Sequence, residues 1–207
     1  FAWLEAAVGN VLLIPYRGSR LREEQTAYFK YMADFYDDFP EFVIFVHPDA
    51  PEHQGDQFLA FKRALILMST GTELASSALQ YYPLSLQLIT QPTRTTWSRH
   101  VNEDGIVEDW PIFWEQLFGG ENTVCPYGCS WNAEMSHTFQ FYVASQSVVG
   151  RSRIQLQPRS FYRALARRIE YCGNATGMFE AAWHVIFGEP LHLPARERNA
   201  RLPLALK

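Results

Sequence analysis

Five consecutive apolar residues, Phe42 to Val46, place the strongest constraint on how this chain can fold. The run is too short for an ordinary helix and has no polar residue at alternate positions. It therefore predicts a strand at the centre of a sheet, buried on both faces. A polar loop at 47–53 follows directly. Because ligands of open α/β sheets bind beyond the carboxyl ends of strands, this loop is the first candidate site.

Strand and helix patterns alternate around this run. A 3.6-residue apolar period predicts an amphipathic helix over Arg22–Tyr36, and a second helix begins after Asp56 and reaches Met68. Short apolar or alternating runs predict further strands at Val11–Ile14 and Leu84–Ile89. This alternation favours a three-layer α/β sheet.

The second half of the chain continues with separate helix and strand patterns. They are a helix beginning at Trp110, a strand at Phe139–Val143, and helices at Arg159–Cys172 and Met178–Phe187. We expect a single α/β domain over 1–188, followed by an extended tail over 189–207 that is rich in proline and arginine.

Composition and charge exclude several classes of protein. A hydrophobic content of 47% is typical of globular proteins, and 207 residues are enough to form the core of one domain. A net charge of −4 does not favour nucleic acid as a partner, and no apolar run is long enough for a transmembrane segment. Hydrolase, phosphate-binding and dinucleotide-binding motifs are absent from the sequence. The sequence begins without a leader pattern, so it leaves the compartment open.

Several segments resemble a known family in their order and spacing. They are 24–29, 35–40 and 42–47, then 139–143 and 158–162, and finally 179–188 with its Glu-x-x-Trp-x-x-x-Phe-Gly ending. Together they resemble domain-of-unknown-function family 3431, a largely fungal family also found in algae and protists. The resemblance extends from about Trp3 to Gly188.

The resemblance implies a three-layer mixed sheet flanked by helices, organised like a GT-A glycosyltransferase. Family members usually begin with a strand before Trp3, and this sequence starts too late to contain it, so we expect a fold without its first strand. Either the polypeptide is longer than this sequence, or a partner covers the sheet edge that is left exposed. Enzymes of the GT-A type hold a divalent cation on an Asp-x-Asp motif. That motif is absent here, and His47-Pro48-Asp49 is the nearest substitute.

The loop after the apolar run is a candidate metal site. His47, Asp49 and His53, with Glu52 beside them, could bind zinc or manganese, since imidazole and carboxylate ligands suit these ions. The alternative is a surface loop whose charges are simply solvated. Arg17 and Arg22 flank the first strand–helix junction and could bind the phosphates of a cofactor, or could be ordinary surface arginines.

Glu180 and His184 form the candidate catalytic pair. They are four residues apart and share one helix face. In a glycosyltransferase, Glu180 would be the general base that deprotonates an acceptor hydroxyl. The alternative is a salt bridge from Glu180 to Arg163, Arg167 or Arg168.

Tryptophan and cysteine residues leave further alternatives open. Trp97, Trp110, Trp114 and Trp131 surround the polar middle of the chain and could stack on sugars or anchor the core. Cys125 and Cys129 could be free thiols, a disulfide or half of a metal site.

Two functions compete. The missing Asp-x-Asp motif, the missing first strand and the Pro/Arg-rich tail favour a non-catalytic accessory subunit that binds other protein subunits, located in an organelle. The alternative is a glycosyltransferase-like enzyme of the secretory lumen that uses a nucleotide sugar and a divalent metal such as manganese.

Overall fold

The computed structural model describes residues 23–46, 57–73, 77, 79–85, 87–92, 100–101, 107–108, 110–120, 122–124, 138–171 and 176–195. The helices are α1 (Glu23–Asp34), α2 (Gln57–Thr70), α3 (Trp110–Phe118), α4 (Arg151–Ile154), α5 (Arg159–Tyr171) and α6 (Thr176–Ile186). The strands are β1 (Phe42–Phe45), β2 (Tyr81–Pro83), β3 (Leu88–Pro92), β4 (His100–Val101), β5 (Val107–Glu108), β6 (Thr138–Tyr142) and β7 (Ser147–Gly150).

Among these strands the main sheet has the order β1-β7-β2, and both pairings are antiparallel. The central strand is therefore β7, not the apolar run of β1, and the prediction that β1 is central is wrong for the described sheet. Strand β7 is not predicted from the sequence because it is short. Only Val148 and Val149 are apolar in it, and they are flanked by Ser147 and Gly150, so no period is visible.

The main sheet separates two hydrophobic cores. Val43 and Phe45 of β1 lie in the larger core, whereas Phe42 and Ile44 pack against the smaller one. Helix α2 covers the smaller core through Ala60, Phe61, Ala64 and Leu67, and helices α1, α3, α5 and α6 cover the larger. The described part is thus a mixed α/β arrangement with helices on both faces of the sheet. The predicted burial of β1 on both faces is confirmed in part, since Val43 and Phe45 are buried whereas Phe42 and Ile44 are half-buried.

A second antiparallel pair, β3–β6, continues the ribbon formed by β2 and β7 after a break. Leu84 N–H donates to the Gln146 carbonyl at 2.8 Å, and Val143 N–H donates to the Gln87 carbonyl at 3.2 Å. These bonds bracket the break. The predicted strand over Leu84–Ile89 is wrong at its start, since Leu84, Ser85 and Gln87 lie in the break, whereas Leu88 and Ile89 belong to β3.

A short 3-10 segment, Val143–Ser145, forms the other side of the break. Ala144 has φ 78° and Ser145 has φ 47°, so both lie in the left-handed region. Non-glycine residues adopt this region at a cost of about 1–2 kcal/mol each. The break is therefore a strained position that contacts elsewhere in the molecule must stabilise.

The segment that follows α6 lies along β6. Gln140 N–H donates to the Leu191 carbonyl at 3.0 Å, and Leu193 N–H donates to the Gln140 carbonyl at 2.9 Å, which makes a parallel bridge. Tyr142 Oη donates to the Pro194 carbonyl at 2.9 Å. Gly188, with φ 79°, ends the helix and turns the chain into this segment. The predicted tail thus begins with residues that are bound to the sheet.

Aromatic rings hold α1 against α5 and α6. The ring of Phe29 lies 5.6 Å from that of Phe179, 5.7 Å from that of Trp183 and 6.4 Å from that of Tyr162. At the other end of α1, Arg159 pairs with Asp37 at 2.8 Å and lies over the ring of Tyr36. The predicted strand at Val11–Ile14 and the three cysteines lie outside the described residues.

Phe29→Ala tests whether this aromatic contact is the main support of the larger core. Phe29 has an exposed fraction of 0%, so its truncation leaves a cavity between three helices. We expect the free energy of unfolding in urea to fall by about 3–5 kcal/mol. Ile66→Ala is the control, because Ile66 is 47% exposed, and it should cost less than about 0.5 kcal/mol. Equal losses in the two variants would contradict this description of the core.

Candidate functional site at the end of the main sheet

Trp183 fixes helix α6 over the end of the main sheet. Its Nε1–H donates to Ser147 Oγ at 3.0 Å, and both side chains are buried. Its ring lies 5.6 Å from that of Tyr28 and 5.7 Å from that of Phe45. One residue of α6 therefore contacts α1, β1 and β7, which sets the position of the residues one turn away on either side of it.

Glu180 lies nearly one turn before Trp183 and reaches the strained break in the sheet. Its Oε1 accepts a hydrogen bond from the Ala144 backbone N–H at 2.5 Å. A carboxylate that accepts a backbone N–H forms a charge-assisted bond, about twice as strong as a neutral one. Glu180 thereby stabilises the left-handed backbone at Ala144. Its partner is this amide rather than one of the arginines of α5.

The end of β1 lies at the same end of the main sheet as Glu180. Phe45 pairs with Ser147, which lies three residues after Ala144. Val46 is the last described residue before His47, so the chain leaves β1 at the end of the sheet where Glu180 lies. The predicted metal ligands His47, Asp49, Glu52 and His53 and the predicted phosphate-binding residues Arg17 and Arg22 lie outside the described residues.

His184 is turned into the protein. It is 1% exposed, and its Nε2 lies 3.4 Å from the Leu191 carbonyl oxygen. Burial lowers the pKa of His184 from 6.5 to about 4, although the carbonyls of Leu191, Pro190 and Ala181 oppose this shift. The imidazole is therefore neutral at pH 7, and it connects α6 to the segment along β6.

Comparison with known proteins identifies the family. The family model described as "Protein of unknown function (DUF3431)" matches residues 16–201, which is most of the chain. The chain belongs to this family. Neither the curated proteins nor the solved structures that were compared with it gave a match.

Two of the four tryptophans that the sequence offers for stacking on a sugar are core residues in this DUF3431 chain. Trp110 and Trp114 are 1% and 0% exposed, and the ring of Trp110 stacks on that of Phe139 at 4.4 Å. They anchor α3 in the larger core, and neither ring is exposed enough to stack on a sugar. Trp97 and Trp131 lie outside the described residues.

In the described part of the DUF3431 chain, no three His, Cys, Asp or Glu side chains converge as a metal site would require. No helix within those same residues is both long and apolar enough to cross a membrane.

A separate polar cleft of about 480 Å³ is lined by Glu41, Gln80, Arg151, Ser152 and Gln155. It is open, and Ser152 Oγ already donates to Gln80 Oε1 at 2.6 Å. Gly150, at the opposite end of β7 from Ser147, neighbours this cleft. The cleft therefore lies away from Glu180 and the break.

The residues that sequence analysis missed at this site are Ala144, Ser145 and Ser147. Positive φ is usually signalled by glycine, and the sequence has alanine and serine there. The bond between Ser147 and Trp183 joins positions 36 residues apart, and no local pattern announces such a contact.

Glu180→Ala should destabilise the break. The Ala144 amide would lose its acceptor while its backbone stays strained, so we expect the free energy of unfolding to fall by about 2 kcal/mol. Glu180→Gln retains an acceptor and should cost about half as much. Urea unfolding measures both, and hydrogen exchange at the Ala144 amide should accelerate in Glu180→Ala. The control is Glu115→Ala, an exposed position on α3. A loss as large in Glu115→Ala would show that Glu180 has no special role at the break.

His184 should make stability depend on pH. Its contribution is complete above pH 6.5 and is lost as the pH falls from 6.5 to about 4, because the unfolded chain binds the proton more tightly. The shift corresponds to about 3 kcal/mol. Burial raises the pKa of Glu189, which acts with the opposite sign, so the comparison must be with a variant. In His184→Asn the fall in stability between pH 7 and pH 4 should be smaller by roughly that amount. Parallel pH profiles for the two proteins would refute the assignment.

Proposed function

We propose that this DUF3431 chain is a non-catalytic accessory subunit of a larger protein assembly, built on a glycosyltransferase-like domain. The observation that carries the proposal is the structural use of the two residues on α6 that a catalytic interpretation requires. Glu180 binds the Ala144 amide, and His184 is buried against the C-terminal segment.

His184 is unsuited to proton transfer with a substrate. A general acid or base must come within hydrogen-bonding reach of the substrate proton, and His184 is 1% exposed. Its neighbours are the carbonyls of its own chain, and burial keeps the pKa of its imidazole near 4. The imidazole of His184 therefore contacts the protein itself and not a substrate.

A second candidate function is a glycosyltransferase-like enzyme, and the strained break favours it. Strained backbone is often found at binding and catalytic sites, and here it lies beside a half-buried carboxylate at the sheet end from which the chain runs to His47. Ser145 is 2% exposed, and its Oγ has no hydrogen-bond partner in the described structure. In such an enzyme Glu180 would be the base that accepts a proton from an acceptor hydroxyl.

The same enzyme would use the loop after β1 and the arginines before α1. His47, Asp49 and His53 have the ligand chemistry that zinc or manganese prefers, and Arg17 and Arg22 could neutralise the diphosphate of a nucleotide sugar. A bound divalent ion would supply charge neutralisation for a leaving diphosphate.

Calorimetry with nucleotide sugars distinguishes the two functions. The full chain is titrated with uridine- and guanosine-diphosphate sugars in the presence of Mn²⁺. For an accessory subunit we expect no saturable heat with any donor. Saturable heat, together with sugar transfer that Glu180→Gln abolishes while the protein remains folded, would establish the enzyme and refute the proposal. As a positive sign of the accessory role, the native chain should elute in a complex of fixed stoichiometry, well above its own 23.9 kDa.

A further inference from the structure

Helix α5 presents a row of arginines to solvent. Its buried side is formed by Phe161, Tyr162, Leu165 and Ala166, which pack in the larger core. At 100° per residue, the opposite direction is occupied by Arg163 and Arg167, and both are exposed. The two guanidinium groups therefore project from the middle of the outward face.

The side chains around this row leave room for a partner protein to approach the helix. Ser160 and Ala164 are exposed beside Arg163 and Arg167, and their small side chains leave the helix surface open to close approach. Arg159 and Arg168 lie at the two borders of the face and are half-buried. Arg159 is already paired with Asp37 at 2.8 Å, so the central pair is what remains for an external contact.

The central pair is not neutralised within the described residues. Arg163 and Arg167 form no ion pair there, and they are four residues apart. Like charges at this spacing weaken a helix slightly. An anionic partner would remove that repulsion.

We propose that the outer face of α5 docks an acidic helix of a partner protein. Successive carboxylates four residues apart on such a helix repeat every 6 Å or so, and Arg163 and Arg167 repeat at the same distance. Arginine binds carboxylate with two parallel hydrogen bonds, which lysine cannot do. This inference deepens the accessory role proposed above by naming the contact surface and the chemistry of the partner.

The charge of the whole chain favours a protein helix over an extended polyanion. The net charge is −4, and a negatively charged protein gains little long-range attraction to nucleic acid or an anionic membrane. Arg163 and Arg167 span about 6 Å along α5, which matches about one turn of a partner helix. The contact is therefore local and depends on geometry.

A designed peptide provides the probe. It is an alanine-based helix with glutamate at positions i, i+4 and i+8 on one face, and fluorescence anisotropy measures its binding to the full chain at low and at physiological salt. We expect Arg163→Glu/Arg167→Glu to weaken binding at least tenfold. Arg163→Lys/Arg167→Lys keeps the charge but loses the paired hydrogen bonds, and it should weaken binding severalfold.

Lys62→Glu/Arg151→Glu is the matched control. It makes the same change in net charge at two other exposed residues, on α2 and α4, and it should leave peptide binding within twofold. Equal weakening by both double reversals would show that net charge alone acts and would overturn the proposal. So would failure to bind the peptide combined with binding to vesicles of phosphatidylserine or to a DNA duplex.

The folded state of each variant is checked by circular dichroism. If the reversal variant unfolds, Arg163→Gln/Arg167→Gln replaces it, with the same tenfold expectation. The result is independent of the calorimetry with nucleotide sugars. Nucleotide-sugar binding that persists in Arg163→Glu/Arg167→Glu would refute the accessory role. Binding of the peptide alone would then decide whether the outer face of α5 docks an acidic helix.

Discussion

The indole of Trp183 is the contact on which the rest of the described structure depends. It donates to Ser147 on the central strand and packs against rings of α1 and β1. A buried tryptophan combines a large apolar surface with one hydrogen bond that must be satisfied. Because Ser147 satisfies it at one position only, the indole fixes both the depth of α6 on the sheet and its rotation about its own axis.

This fixed rotation determines what the neighbouring turns of α6 do. Glu180 is brought to the break at Ala144 and Ser145, and His184 is brought to the segment at 190–193. The helix thereby supports a strained piece of backbone on one side and closes the C-terminal segment along β6 on the other. The family-like Glu-x-x-Trp pattern thus has a physical meaning in this chain, since the tryptophan positions the carboxylate.

The positions of the polar groups of α6, of the strained backbone and of the exposed arginines bear on function. At the end of the sheet Glu180 and His184 of α6 contact the protein itself, which supports an accessory role. The strained backbone beside Glu180 is what an active site would also contain. On the outside, Arg163 and Arg167 of α5 are exposed and form no ion pair within the part of the chain that the structure describes. The inner face of α5 packs in the larger core, and its outer face is the surface that we propose binds another protein.

The amino-acid sequence alone was enough to predict every described α-helix except α4, and to identify the family. The 3.6-residue period placed α1, α3, α5 and α6 within a few residues of their observed ends, because a helix face is a local pattern. The central position of β7 among the described strands and the left-handed backbone of Ala144 and Ser145 depend instead on tertiary contacts. The same holds for the roles of Glu180 and His184. Strand order and strained backbone are selected by contacts between segments far apart in the chain, and no local pattern records them.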